Sequence, residues 1–129
     1  MSVFTKIISG EIPAFVIKED DDFIAFLDIA PLVPGHVLVV PKKEINKLFD
    51  LPENLLSAIL VFAQPIAQAI EKSFDCNRCG LSVIGLEVPH AHVHLMPINS
   101  ADDINFTRRK LEPSTQTLGE IHKILLSNL

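Results

Sequence analysis

His90-Ala91-His92-Val93-His94-Leu95-Met96 is the stretch on which the reading of this chain turns. Alternate residues of an extended segment share a face, so the spacing places three imidazoles on one side and Ala91, Val93 and Leu95 on the other. An apolar face opposite a polar one is the pattern of a half-buried strand. A polar face made wholly of histidine points to chemistry, because a merely solvated strand has no need of three imidazoles. Two metal readings stand beside the catalytic one. A His-x-His pair, with Cα atoms about 6.8 Å apart, could chelate zinc with a remote further ligand. The first and third histidines, about 13.5 Å apart by the same rise, are too far spread to share one ion easily. Cys76-Asn77-Arg78-Cys79 is a lone Cys-x-x-Cys without the second pair a structural zinc needs, and reads as two ordinary thiols.

Outward from the triad, His92 to Ile98 reads as a strand and Gly80 to Gly85 as its short neighbour. Further upstream, Glu53 to Phe74 carries apolar residues at helical spacing over one broad face, which predicts a single long helix with Pro65 inside it to kink it. Gly35-His36-Val37-Leu38-Val39-Val40-Pro41 is a β-branched run bounded by turn residues, hence a strand. Ala14 to Lys18 and Phe23 to Asp28 form a hairpin around the acidic turn Glu19 to Asp22. A short turn or helix closes at Lys6 to Gly10, and Ser114 caps a final helix running to about Leu126. His122 falls in that last helix with no catalytic neighbour in sequence. Strand pairs joined by short turns predict an α+β fold: a mainly antiparallel five-stranded sheet, one long helix and a C-terminal helix.

The 129 residues are 48% hydrophobic with mean hydropathy +0.34, enough for one domain spanning 1–129 with its own core. A net charge of −5 and a pI near 5.4 exclude a polynucleotide partner, which needs a basic surface. With neither Trp nor Tyr there is no base-stacking platform of the single-strand-binding kind. Arg108-Arg109-Lys110, the one basic run, reads as a solvated loop. No targeting segment is evident and no window approaches the roughly 18 apolar residues of a membrane span, so a cytoplasmic protein is expected.

The triad stretch has the His-φ-His-φ-His-φ-φ form (φ apolar) of the histidine triad, or HIT, superfamily, and the resemblance covers nearly the whole chain. Phe4 to Pro13 resembles the family's N-terminal segment. Phe26-Leu27-Asp28-Ile29-Ala30-Pro31 and Pro34 to Lys42 are similar to its next two blocks. The resemblance implies a HIT-like fold and an enzyme that cleaves purine nucleotide conjugates at the α-phosphate: phosphoramidates, adenylates or dinucleoside polyphosphates. It makes His92 the nucleophile that forms a nucleotidyl-histidine, with the carbonyl of His90 accepting from the other ring nitrogen of His92. It places His94 and His36 in the phosphate site and counts His90 with them in the catalytic set. It assigns Asp28 to the ribose hydroxyls, and Phe4, Ile7, Phe26 and Ile29 to the base cleft. No cofactor is implied; a homodimer is, through the long helix and an adjacent strand. The alternative is a nucleotide-binding or regulatory module with little catalysis.

Three departures from the family's pattern matter. Many bacterial relatives hold a structural zinc through an N-terminal Cys-x-x-Cys, a later His and the first triad His. Here Ser2, Thr5 and Glu44 stand at the first three positions, so no metal is expected. Ahead of the triad, Leu86 stands where Gln is common and no Asn lies nearby, removing amide donors to phosphate; Glu87 has no assigned role. Past Met96 the tail does not match the branches whose substrate preference the tail sets.

Overall fold

The computed structural model describes residues 1–129. Its centre is one antiparallel five-stranded sheet in the order β1-β2-β3-β5-β4, made of β1 (Val16–Glu19), β2 (Phe23–Leu27), β3 (Val37–Pro41), β4 (Arg78–Ser82) and β5 (Val93–Ile98). The α+β architecture expected from the sequence is the one observed. Val37 and Val39 of β3 face Leu95 and Val93 of β5, and Leu38 faces His94. Paired residues share a face, so this register puts the valines and leucine on one side and His94 on the other.

Helix α2 (Glu53–Ser73) runs unbroken through Pro65 and buries Leu55, Ile59, Phe62, Ala63, Ile66, Ala69 and Ile70. Its stripe meets Ala25, Leu27, Val37, Val39, Val93 and Leu95 to form the main core. Each large side chain in such a face contributes about 1.5–3 kcal/mol of transfer free energy, and Ile66→Ala, at a fully buried position, would cost about 2–5 kcal/mol. By length and composition α2 is also apolar enough to cross a membrane, with hydropathy 1.3 over its window, contrary to the expectation that no stretch reaches that level. The excess has a physical cause: one face covers the sheet, while Leu60 and Val61 add apolar surface on the outside.

Helix α3 (Thr115–Ser127) starts at Ser114, whose hydroxyl accepts from the Thr117 amide. It docks by burying Leu118 and Leu125 and through His122, whose Nε2 donates to the Val16 carbonyl at 2.7 Å. On the opposite face of the sheet lies a smaller cluster of Ile24, Phe26, Leu38 and Val40. Phe4 of the six-residue helix α1 (Val3–Ile8) covers it, and the helix is capped by Ser2, whose hydroxyl accepts from the Thr5 amide. That helix begins earlier than the Lys6–Gly10 turn read from the sequence. β4 ends at Ser82, so Val83 to Gly85 leaves the sheet, and β5 begins only at Val93.

Candidate active site

The triad departs from a simple alternating strand. Only His94 lies within β5; His90 sits in a bend and His92 in the short connection that leads into the strand. His92 and His94 share a face with ring centroids 4.8 Å apart. The His90 ring is fully buried elsewhere: Nε2 lies 2.7 Å from the Pro41 carbonyl and Nδ1 2.7 Å from the Ser2 hydroxyl. A carbonyl can only accept, so Nε2 carries the proton and, in the neutral ring, Nδ1 accepts from Ser2. His90 lies against the same Phe4 ring as His92, at 5.7 Å, but both its nitrogens are engaged by the protein and it does not line the cavity, so it is a positioning residue.

What His90 positions is His92. The carbonyl of His90 lies 2.7 Å from His92 Nδ1 and forces the proton onto that nitrogen. The lone pair is then left on Nε2. The Phe4 ring stands edge-on to His92 at 5.0 Å and fixes its plane. Burial, the largest cause, lowers the pKa of His92 below its ordinary value, opposed by the hydrogen bond to His90; the ring is therefore neutral at pH 7.

A second relay orders the other two imidazoles. Gly35 holds φ at +90°, and a Cβ there would lie 2.5 Å from the Phe74 ring, so only glycine brings the Pro31–Gly35 loop back to the sheet at this point. The returning chain presents His36, whose Nδ1 accepts from the Leu32 amide at 3.1 Å. An amide can only donate, so the proton of neutral His36 sits on Nε2, which donates to His94 Nδ1 at 2.9 Å. His94 consequently carries its own proton on Nε2. Burial pushes the pKa of His36 down to about 4 and that of His94 to about 3, so both work as neutral donors. The centre thus pairs a free lone pair on His92 with an ordered N–H on His94.

These groups floor a cavity of about 320 Å³ that is also lined by Phe4, Asp28, Leu32, Leu38, Ile84 to Val88, Phe106, Thr107 and Lys110. Asp28 takes the Ala30 amide on Oδ1 at 2.9 Å and keeps Oδ2 3.7 Å from His36 Nε2; burial is the main cause of its raised pKa. Of the expected site residues, the fold brings His36, His92, His94, Asp28 and Phe4 to this cavity. Phe26 and Ile7 do not line this cavity; they pack with Phe4 in the small cluster beside it. Ile29 follows the end of β2 with its side chain 69% exposed and outside the cavity lining. The sequence reading missed Phe106, which stands edge-on to His94 at 4.6 Å, and Lys110, which it read as solvated loop.

The zinc positions of the family do meet in space. Ser2 and Thr5 both donate to Glu44 Oε1, Thr5 through its hydroxyl at 2.7 Å, and Ser2 reaches His90 as described. These bonds draw the Glu44 carboxyl down to about 2. Two hydroxyls and an acid whose Oε1 already takes two donors are not the thiolate and imidazole set of a structural zinc, and hydrogen bonds fill the role instead. Asp28, His36 and His94 also have ligand-type atoms within 4.8 Å of one another, but two of those atoms are committed to the His36–His94 hydrogen bond. Burial raises the thiol of Cys79 to about 11, which suits the reading of Cys76 and Cys79 as ordinary thiols.

Residues 9–101, more than half of the chain, match the family model described as the HIT domain. An uncharacterized HIT-like protein of Methanocaldococcus jannaschii is 40% identical over 107 residues, 79% of this chain and 82% of that protein. A Saccharomyces cerevisiae protein named adenosine 5'-monophosphoramidase is 33% identical over 129 residues, 98% of this chain and 82% of its own length. Among solved structures, a Hit-like protein involved in cell-cycle regulation from Bartonella henselae superposes with TM-score 0.87 at 32% identity, covering 99% of this chain and 96% of that one. The chain belongs to the histidine triad family.

Proposed function

We propose that this protein is a nucleotide hydrolase or transferase that cleaves purine nucleotide conjugates at the α-phosphorus through a nucleotidyl-histidine. The observation that carries the reading is the opposite proton order of two adjacent rings: Nε2 of His92 is a lone pair, and Nε2 of His94 is a donor. In the first step His92 Nε2 bonds to the α-phosphorus, and the bond from phosphorus to the leaving group breaks with its electron pair on that group, which takes a proton from solvent as it departs. The positive charge that develops on the ring is held by Nδ1–H against the His90 carbonyl, and the His94 N–H steadies the phosphoryl oxygens. In the second step water or another acceptor attacks phosphorus and gives up its proton to solvent, the N–P bond breaks with its electron pair returning to His92 Nε2, and the nucleotide and neutral His92 are released. Asp28, at the cavity wall, is suited to accept from ribose hydroxyls, and Phe4 to contact the base. The yeast relative's name supports a phosphoramidate among the substrates.

A homodimer belongs to the same proposal. β4 is an edge strand, and Leu81, Val83 and Ile84 on and beside it are 41–48% exposed, while Leu60 and Val61 of α2 are 56% and 70% exposed. Apolar side chains along an open edge suit a two-fold copy of the same surface. Leu86, 88% exposed and without a donor, favours the second reading of a nucleotide-binding module with little turnover. One experiment decides between them: incubation with adenosine 5'-phosphoramidate, following AMP release and the intact protein mass. Wild type should form an acid-labile adduct, and His92→Ala should lose the adduct and several orders of magnitude of turnover. Near-normal turnover by His92→Ala would refute the covalent route; tight AMP binding without turnover by wild type would establish the module.

A further inference from the structure

The cavity has a depth gradient of charge that the chemistry at His92 does not use. His36, His92 and His94 on its floor are 2–7% exposed. At its mouth Lys110 Nζ lies 3.0 Å from Glu87 Oε2, with the two side chains 39% and 78% exposed. Lys110 is not on a free tail. Phe106 packs edge-on against both His94 and His36, and the Leu111 amide donates to the Pro31 carbonyl at 2.8 Å. The segment between these anchors is held across the cavity, and the ammonium is near enough to act electrostatically on Asp28, His36 and His94.

A nucleotide poised for reaction places its α-phosphorus at His92 on the floor. Whatever is attached beyond that phosphorus then extends toward the mouth, where Lys110 stands. We propose that Lys110 is the docking cation for a second phosphoryl group, the one attached to the α-phosphate, and that Glu87 occupies it until such a ligand arrives. The inference rests on the nucleotide reading of the site and adds to it a preference for nucleoside diphosphates and longer conjugates over mononucleotides. The exchange is physically easy. A half-exposed ion pair holds its partners weakly, and a phosphoryl group offers Lys110 more charge and more acceptor oxygens than one carboxylate. Glu87, released, swings into water. The pair also supplies a donor in a wall where Leu86 has none.

The test is calorimetric binding of AMP and of α,β-methylene ADP, which cannot be cleaved between its phosphates, to wild type, Lys110→Met, Lys110→Arg and Glu87→Gln. Wild type should bind the diphosphate more tightly than AMP, by a ratio that shrinks as salt rises. Lys110→Met should weaken the diphosphate about tenfold or more and AMP no more than about threefold. Lys110→Arg should keep most of the preference, and Glu87→Gln should strengthen the diphosphate several-fold. Equal losses of both ligands in Lys110→Met, or a weaker diphosphate in Glu87→Gln, would overturn the role of Lys110 while leaving the nucleotide site standing. A wild type that binds neither ligand would overturn both.

Discussion

His36 offers a way to separate the two jobs that one imidazole does here. Its Nδ1 accepts from the Leu32 amide at 3.1 Å, and its Nε2 donates to His94 at 2.9 Å. Asparagine can keep an acceptor near the place of Nδ1, and glutamine can keep a donor near the place of Nε2. In His36→Asn the buried Leu32 amide stays paired, and the loss of stability, about 1 kcal/mol, comes from the His94 Nδ1 acceptor left without its donor. His94 loses its partner and with it the fixed proton on Nε2. A donor facing a charged phosphoryl group is worth about 1.5–3 kcal/mol, so turnover should drop about ten- to a hundredfold. In His36→Gln the pattern inverts: the orphaned amide costs about 1–3 kcal/mol of stability, and turnover stays within about tenfold of wild type. Urea unfolding gives the first quantity and AMP release from a phosphoramidate the second. Long-range proton–nitrogen correlations of the imidazoles report the His94 tautomer directly, without reference to activity. Stability and turnover falling together in both variants, with the His94 tautomer unchanged, would refute the relay.

Three further outcomes are expected. Asp28→Asn should weaken AMP by about 1.5–3 kcal/mol while leaving ribose-free phosphate ligands nearly unaffected, and equal calorimetric losses for both would mark the effect as structural. Folding stability should fall between pH 7.5 and 5.5, because His36 and His94 resist protonation when folded, at about 4 and about 3, while their unfolded forms take up protons near 6.5. Each would contribute on the order of 1 kcal/mol at pH 5.5, less than additively since they share a hydrogen bond; urea midpoints that do not move over that range would contradict the burial argument. Purified protein should carry no stoichiometric zinc that resists chelation, whereas Ser2→Cys, Thr5→Cys and Glu44→His together should create a tight site, because a modest widening of the 2.7 Å Ser2–His90 contact to about 3.5 Å suits tetrahedral coordination. Elemental analysis of both proteins checks this.

The sheet and α2 were legible because burial imposes a period. Val37 and Val39 alternate with Leu38 and Val40, and the stripe from Leu55 to Ile70 repeats at helical spacing. His92, His94, Asp28 and His36 were legible through the motif and its neighbouring blocks. Other features depend on contacts between segments distant in sequence, which leave no local period. The start of α1 is set by Ser2 and by Phe4 finding the sheet's far face. The His90 ring is kept from the cavity because the Pro41 carbonyl and Ser2 hydroxyl take both its nitrogens, and nothing within the triad itself signals this. Lys110 looked solvated because its run is charged and aperiodic; only the Leu111–Pro31 hydrogen bond and the seat of Phe106 bring it over the cavity.

The two decisive nitrogens of the site take their character from main-chain atoms. The His90 carbonyl makes His92 Nε2 a lone pair, and the Leu32 amide, acting through His36, makes His94 Nε2 a donor. Both main-chain atoms lie in connections just before a strand, one ahead of β5 and one ahead of β3, and β3 and β5 are paired neighbours. The register between those strands therefore brings the two proton orders onto adjacent rings, 4.8 Å apart between centroids. The hydroxyl and carboxylate cluster of Ser2, Thr5 and Glu44 anchors His90 through Ser2, and through the His90 carbonyl the orientation of the His92 ring. A metal is not required for that anchoring when three hydrogen-bonding side chains meet at the same place. What this cluster must preserve is the direction of one carbonyl, and it does so through Ser2 on Nδ1 of the His90 ring, while the Pro41 carbonyl holds Nε2 from the other side.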